Sequence, residues 1–579
     1  MNPSTVLATV IVKALQDLGV QQFVLCPGSR SAPLAYALAE LAGEGRIRLH
    51  VRIDERSAGF LALGLARGSG APAAVITTSG TAVANLHPAV LEAAHAGVPL
   101  LVISADRPHE LRGSGANQTT DQVKLFGGAV RWFGEIPAPQ RRSGQVIGWR
   151  NVVARAVAAA IGNPGRDPGP VHLNLAFAEP LLPDSRPPDR DSSLDRDGSL
   201  AQDLPPDWPE PLSGPAGLTR ISEPGEPAAV ILPPGPRTVV LAGDGAGPSA
   251  ARVAAAAGWP LLAEPSSGAR GPDAIGPYRL LLNLPELGAR IERVVVYGRP
   301  TLSRPVTELL ARPELDLVVV SQRPDWTDAG RRARLVAPAV RAEEVSDPGW
   351  LAQWQAAGAA AAAAINQVLD AEAAAGRLTG PLIARELAAA TGATDVLFTG
   401  SSNPIRDLDL AAAGLGRGAR VLANRGLAGI DGTLSTASGV ALSVTGAVRA
   451  LVGDLTFLHD AGGLLIGPLE ERPQLQIVVV DDGGGGIFGL LEQGALGRTG
   501  ARQQAVFERV FETPQNADLR ALCAGYGVRH ERVDDLDGLR KALADPPPGT
   551  SVIQILVDRS AHHALAAHLR TAVRQVIIP

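Results

Sequence analysis

The stretch Val478–Leu491, VVVDDGGGGIFGLL, opens as an apolar strand, breaks into two carboxylates and four glycines, and then resumes as an apolar run. Four consecutive glycines can form a flexible connection. A connection is seldom bracketed, however, by Ile-Val-Val-Val on one side and Ile-Phe-Gly-Leu-Leu on the other. In an open parallel sheet the carboxyl ends of the strands face the crevice where ligands bind. The stretch therefore reads as a buried strand ending in a ligand loop, and it predicts an α/β fold.

Upstream, GDLTFLHD places Asp454 just after the apolar run RALVG. Two adjacent parallel strands joined by a helix would bring Asp454 and Asp482 to one sheet edge. With a carbonyl from the glycine stretch they form an oxygen-rich set suited to Mg²⁺ with phosphate oxygens. Gly483 to Gly486 would let the backbone approach a pyrophosphate closely. The bland alternative is that both acids are solvated loop residues or helix caps.

The same alternation of short apolar strands and helical stretches recurs along the 579 residues, a length that suits three domains. QQFVLCPG, AAVITTSG, PLLVISAD and GPVHLNLAF mark a first domain, 1–183. A Pro-, Asp- and Ser-rich segment, 184–234, reads as a linker. A central α/β domain, 235–345, and an Ala-rich connecting helix, 346–377, come next. The third domain, 378–579, contains the opening stretch. The expected fold is α/β, with three doubly wound parallel-sheet domains.

A net charge of −5 offers no basic field for nucleic acid. Only Lys13, Lys124 and Lys541 are lysines, so arginine carries the positive charge. Cys26 and Cys523 are too few and too far apart for a disulfide framework or a cysteine-based zinc site, and they read as small buried hydrophobes. The N-terminus has an amphipathic helix pattern rather than a signal-peptide one. No sufficiently hydrophobic run predicts a membrane span, so a cytoplasmic protein without stable membrane insertion is expected.

In the first domain, HVRIDERSAGFLALGLARGSG puts Glu55 at a strand end before an apolar helix, where it could simply be a first-turn charge favourable to the helix dipole. TTSGTAVANLHPAVLEA opens another helix with a Thr/Ser/Gly turn, whose N–H groups suit a polar ligand.

These residues resemble a known family. GD followed after about 26 residues by a polar dyad and glycines is similar to the thiamine diphosphate motif. DERSAGFLALGLAR and TTSGTAVAN resemble the pyrimidine-binding domain of the same enzymes. CPGSRSAPL, SADRPHELRGSGANQTTDQ, FAEPL and NRGLAGIDGTLSTASG narrow the resemblance to the 2-succinyl-5-enolpyruvyl-6-hydroxy-3-cyclohexene-1-carboxylate synthase family of menaquinone biosynthesis. The match covers both outer domains, while the middle one matches weakly. One departure is plain: the family usually has asparagines where this chain has Asp481 and Asp482. Asp482 can still ligate the metal, but it adds negative charge beside the diphosphate.

The resemblance implies thiamine diphosphate and Mg²⁺ (or Mn²⁺) as cofactors, and 2-oxoglutarate and isochorismate as substrates. In that chemistry 2-oxoglutarate loses carbon dioxide and the resulting succinyl-semialdehyde carbanion adds to isochorismate. Glu55 matches the catalytic glutamate on the aminopyrimidine. Cofactor contacts are implied for Ser79, Gly80, Thr81, Asn85, Gln118, Ile430, Gly453, Asp454, Leu455, Gly484, Gly485, Ile487 and Phe488. Metal ligands are implied at Asp454, Asp482 and Gly484. Substrate contacts are implied for Ser29, Arg30, Arg107, Asn117, Gln118, Ser402, Arg406, Arg425 and Phe488, with Arg304 added from the middle domain. Arginine suits dicarboxylates because its planar fork can grip a carboxylate in two places. His87, His95, His109 and His459 match no proton-transfer position and read as packing or surface residues. A homo-oligomer, a dimer or dimer of dimers, is implied, with each cofactor clamped between protomers. Another thiamine diphosphate-dependent 2-oxo acid decarboxylase, or an acetolactate synthase-like enzyme, would share Glu55 and the metal loop but would not need the arginines.

Overall fold

The computed structural model describes residues 2–142, 144–183, 218, 219, 221, 222, 225–343, 347–411, 415 and 418–577. Most of the segment read as a linker lies outside the described residues. Three parallel sheets of five or six strands carry the architecture. The first contains β1 (Gln22–Leu25), β2 (Arg48–Val51), β3 (Ala73–Thr77), β4 (Leu100–Asp106), β5 (Trp132–Ile136) and β6 (Val171–Ala176), in the order β2-β1-β3-β4-β6-β5.

β7 (Val230–Leu232) follows, then β8 (Thr238–Ala242), β9 (Leu261–Ala263), β10 (Arg293–Tyr297), β11 (Asp316–Val320), β12 (Leu335–Ala337) and β13 (Val340–Ala342). The middle sheet has the order β12-β11-β10-β8-β9, while β7 and β13 form a separate parallel pair. The chain is therefore already in regular structure at Val230, inside the stretch read as linker. Pairing of its backbone with β13 compensates for the absence of a periodic apolar signal there.

The third sheet contains β14 (Val396–Thr399), β15 (Arg420–Leu422), β16 (Val448–Gly453), β17 (Leu475–Asp481), β18 (Arg529–Arg532) and β19 (Thr550–Leu556), ordered β15-β14-β16-β17-β19-β18. Counted within each sheet, the first and third share one order, 2-1-3-4-6-5. In both, the direction of winding reverses between strands 1 and 3, the place where an open α/β sheet leaves a ligand crevice.

The strands hold because they are buried on both faces, as parallel sheets require. Every residue of β3, β4, β6, β8 and β10 is buried. The N-terminal helix, Pro3–Asp17, departs from its amphipathic reading. It is buried continuously from Ser4 to Leu15, Lys13 included, as befits a helix packed on several sides. The Ala-rich helix runs Pro348–Ala374 and is anchored by Trp350 and Trp354, whose rings meet edge to face at 5.8 Å. Trp350 Nε1 also donates to the Thr238 carbonyl at 3.0 Å. Cys26 and Cys523 are both buried free thiols.

The chain forms two compact units, Met1–Pro224 with Ile466–Glu471, and Gly225–Leu465 with Arg472–Pro579. The first holds the first sheet, and the second holds the middle and third sheets. Within the first, Glu470 Oε2 accepts the Val51 N–H at 2.8 Å and lies 3.6 Å from Arg52. Among the described residues, no helix is long and apolar enough to cross a membrane.

Candidate functional site

In the first compact unit, the expected residues follow the carboxyl ends of successive strands. After β1, Arg30 donates to the Phe177 carbonyl at 2.9 Å, and Ser29 stands beside it. After β2, Asp54 caps the helix Glu55–Ser69 by accepting the Arg56 N–H at 2.9 Å, which leaves Glu55 as the first helical residue. Burial first, and then the Glu55 charge, pushes the Cys26 thiol up, so Glu55 sits near the end of β1.

The turn after β3 is tied to the loop after β4. Ser79 Oγ donates to the Gln118 carbonyl at 3.0 Å, and Gln118 Nε2 returns a bond to the Ser79 carbonyl at 2.9 Å. Arg107 donates to the same Gln118 carbonyl at 2.6 Å and to Ser79 Oγ. Gln118 takes a left-handed backbone, φ +54°, beside the exposed Asn117. Thr81 and Asn85 are exposed at the two ends of the short helix that follows. Of the N–H groups of this turn, that of Gly80 is already donated to Gln122 Oε1 at 2.9 Å.

Behind this turn lies a buried polar network. Gln122 Nε2 donates to Asn174 Oδ1 at 2.9 Å, Asn174 Nδ2 donates to Asp106 Oδ2 at 2.8 Å, and Asp106 Oδ1 accepts the Arg107 N–H at 2.7 Å. Gln122, Asn174 and Asp106 have no solvent exposure. The loop carrying Arg107 is thus fixed from below by groups that water cannot reach to replace.

In the second compact unit, β16 and β17 are adjacent and parallel, with Gly453 opposite Val480. Asp454 and Asp482 consequently leave the same sheet edge. Burial, then the charges of Asp482 and Asp481, pushes the Asp454 carboxyl up to about 7. Burial raises Asp482 to about 6, opposed by Arg559. Asp482 Oδ1 is buried and has no hydrogen-bond partner. Two crowded, desolvated carboxylates with an orphaned oxygen make a donor set that fits a divalent cation. No group of three or more His, Cys, Asp or Glu side chains that could hold a metal ion occurs among the described residues. A cation held here would need backbone or ligand oxygens besides these two side chains.

The glycine run is a packed turn. Arg559 Nη1 donates to the carbonyls of Gly483 at 2.7 Å and Asp482 at 3.2 Å, while the Gly485 N–H donates to the Glu512 carbonyl at 2.7 Å. A Cβ on Gly484 would meet the Glu512 carbonyl oxygen at 2.3 Å, and one on Gly486 would meet Asp482 Oδ2 at 2.0 Å. The two acids divide their tasks. Asp481 accepts from the Gly483 N–H and from Gln554 Nε2 at 2.6 Å, so it shapes the turn, while Asp482 keeps an oxygen free. The Gly484 carbonyl accepts the Gly486 N–H at 3.1 Å. Ile487 and Phe488 follow in the short 3₁₀ segment Gly486–Leu490, and Phe488 packs on Phe511 at 5.7 Å. Gly453 and Leu455 flank Asp454, both half-buried.

Arg406 and Arg425 lie in the same compact unit and near each other. Burial, then the charges of Arg425 and Arg279, lowers the Arg406 guanidinium to about 10. Arg406 Nη1 donates to the carbonyl of Ser402, which has φ +74°, at 2.7 Å. Arg425 is buried, and its Nε has no hydrogen-bond partner. Burial pushes the nearby Glu264 up to about 8, so at neutral pH it is mostly uncharged and leaves the Arg425 charge available. Ile430 is half-buried in the loop beyond Arg425, and its carbonyl accepts Thr433 Oγ1 at 3.0 Å. Arg304 is not drawn into this group. Its side chain is 63% exposed and pairs at 3.3 Å with that of Glu492, which is more open still.

Residues 5–125 match the thiamine pyrophosphate enzyme N-terminal TPP-binding domain, and residues 410–575 match the C-terminal TPP-binding domain. A 2-succinyl-5-enolpyruvyl-6-hydroxy-3-cyclohexene-1-carboxylate synthase of Kineococcus radiotolerans is 52% identical over 100% of both chains. Proteins of the same name from Arthrobacter sp. and Thermobifida fusca are 49% and 46% identical, covering 98% and 100% of this chain and 91% and 99% of theirs. The chain belongs to the 2-succinyl-5-enolpyruvyl-6-hydroxy-3-cyclohexene-1-carboxylate synthase family.

Several residues of this synthase family member escaped sequence reasoning. Asp106, Gln122 and Asn174 hold the Arg107 loop, Arg559 and Glu512 hold the glycine turn, and Asp409 with Arg279 brackets Arg406. Only the first group left a readable trace. Ser104 and Asp106 in LLVISAD, and His172 and Asn174 in VHLNLA, put polar residues at alternate positions of otherwise apolar strands, hence on one face.

Proposed function

We propose that the protein decarboxylates 2-oxoglutarate with thiamine diphosphate and adds the four-carbon remainder to isochorismate, as a cytoplasmic enzyme of menaquinone biosynthesis. The observation that carries this reading is the combination, in one compact unit, of the acid pair Asp454 and Asp482 with the buried guanidinium groups of Arg406 and Arg425. The first pair suits a metal-bound diphosphate, and the second suits carboxylates.

Asp454, Asp482 and the Gly484 carbonyl would hold Mg²⁺ or Mn²⁺, the ion that pairs with a diphosphate. Gly453, Leu455, Gly485, Ile487 and Phe488 line the diphosphate side. Thiamine diphosphate, when bound, supplies the electron sink for loss of carbon dioxide. Glu55 would hold and exchange a proton at the aminopyrimidine, Ser79, Gly80, Thr81, Asn85 and Gln118 would bind on the same side, and Ile430 would support the cofactor. Arg30, Arg107, Arg406 and Arg425 orient substrate carboxylates, aided by Ser29, Asn117, Gln118 and Ser402. Charge-assisted bonds of this kind contribute about 1.5–3 kcal/mol each. The exposure of Arg304 argues for a part only at the rim. A homodimer is the smallest assembly proposed, with each cofactor shared between protomers.

The deciding experiment supplies 2-oxoglutarate, isochorismate, thiamine diphosphate and Mg²⁺ and identifies the product by mass spectrometry. A coupled product with loss of carbon dioxide is expected. Release of carbon dioxide with no coupled product would replace this reading with a simple 2-oxo acid decarboxylase.

A further inference from the structure

The carboxyl edge of a parallel sheet ordinarily faces a ligand. In the middle sheet this edge consists of the segments after β8, β9 and β10, and its residues reach the two segments that carry Arg406 and Arg425. Arg270 donates to Asp409 Oδ1 at 3.2 Å and to the Asp409 carbonyl at 3.0 Å. Arg279 Nε lies 3.5 Å from Asp409 Oδ2, and its Nη2 donates to the Arg406 carbonyl at 3.0 Å. Asp409 is 1% exposed and lies on the helix Asn403–Ala411, three residues beyond Arg406. At the other segment, Arg425 Nη2 donates to Thr301 Oγ1 at 3.0 Å, and Arg299 Nη2 donates to the Gly426 carbonyl at 3.1 Å. Leu302, Ile405 and Ala423 close a small apolar core between these loops.

The need for such anchoring follows from charge. Burial first, and then the charges of Arg425 and Arg279, disfavour the charged state of Arg406. Cations that repel keep a fixed spacing only if their backbones are held by other bonds. A guanidinium that must meet a carboxylate on two oxygens loses most of its advantage when it moves by about 1 Å. The glycine turn on the metal side is held differently, by Arg559, Glu512 and Gln554 from the third sheet's own segments.

We propose that Arg279 and Asp409 are positioning residues for the substrate-binding arginine Arg406, so that the middle sheet contributes to recognition of the dicarboxylate without touching it. Arg279 is suited to this because its Nη2 hydrogen-bonds the Arg406 carbonyl while its Nε stays within ion-pair distance of the Asp409 carboxylate. The proposal rests on the reading of Arg406 as a carboxylate ligand.

The test compares Arg279→Gln, Arg279→Lys and Arg406→Ala in the full-length protein with thiamine diphosphate and Mg²⁺. KM and kcat are measured for both substrates, cofactor affinity by tryptophan fluorescence, and thermal unfolding beside them. Arg279→Gln is expected to raise KM for at least one substrate about tenfold, with kcat reduced by less than about threefold and cofactor affinity unchanged. Arg279→Lys, which keeps the charge but cannot span both partners, is expected to follow Arg279→Gln. An unchanged KM in Arg279→Gln, full recovery in Arg279→Lys, or loss of cofactor affinity in parallel with KM would each overturn the proposal. If Arg406→Ala raises KM while the Arg279 variants do not, only the positioning role falls. If Arg406→Ala itself leaves KM unchanged, the carboxylate reading falls with it.

Discussion

Replacing Glu264 by Gln should stabilise the protein, and more so as the pH rises. The side chain is 1% exposed, and its Oε1 accepts the Leu302 N–H at 2.9 Å, a bond the Gln carbonyl can keep. Burial raises the carboxyl from an ordinary 4.5 to about 8 in the folded state. Below the unfolded value both states are protonated and the group costs nothing. Between 4.5 and about 8 the unfolded chain releases the proton while the folded chain retains it, so folding stability falls as pH rises. Above about 8 the penalty is complete, about 5 kcal/mol at 1.36 kcal/mol per pH unit. At pH 6.5 roughly 3 kcal/mol of it applies by the same relation. Gln carries no such penalty. In thermal unfolding at matched scan rates, the variant should gain roughly 5–10 °C over wild type at pH 8, and the gain should vanish near pH 4.5. A difference that is flat with pH, or that shrinks as pH rises, would refute the assignment of Glu264 as a buried neutral acid.

Glu55→Gln should nearly abolish turnover while the fold and metal binding persist, because an amide cannot exchange the proton as a carboxyl does; near-normal kcat would remove Glu55 from the chemistry. Mn²⁺ binding to the cofactor-free protein, followed by electron paramagnetic resonance, should weaken roughly twentyfold from pH 8 to pH 6, because acids raised to about 7 and about 6 then hold protons that the cation must displace. Asp482→Asn should flatten that dependence, since Asp454 loses a neighbour that raises it; an unchanged slope would count against the pair as ligands. Gly484→Ala should lower cofactor affinity by an order of magnitude or so, its Cβ meeting the Glu512 carbonyl where φ is +153°, and wild-type affinity would show that the turn yields. Mixed dimers of Glu55→Gln and Asp454→Ala chains should recover up to about half of wild-type activity per hybrid dimer, and zero activity after proven chain exchange would exclude shared sites.

How far the sequence could be read depended on distance along the chain. Apolar runs ending in Gly, Ser or Asp marked the sheet edges, and the alternation of strands and helices forced a parallel sheet. That logic sufficed to put Asp454 and Asp482 on one edge. It could not show which polar atoms were already committed. The Gly80 N–H is taken by Gln122, 42 residues away, and Asn174 lies a further 52 beyond Gln122. Arg559 reaches Gly483 across 76 positions, and Arg279 reaches Arg406 across 127. No local pattern encodes such pairs, and in an arginine-rich chain each resembles an ordinary surface cation. The N-terminal helix departs from its amphipathic pattern for a related reason: packing covers Lys13 as well.

The short segment Ile466–Glu471 has a consequence for how this chain can be dissected. It belongs by its contacts to the unit otherwise made of Met1–Pro224, although its chain neighbours on both sides belong to the other. Cutting the gene after Pro224 would therefore not deliver a self-sufficient half. The fragment would lack the carboxylate that receives the Val51 N–H and faces the buried Arg52, just ahead of the helix that begins at Glu55. A split reporter, a circular permutant or a domain graft built on this scaffold would have to supply the loop carrying Glu470 in trans or stitch it back.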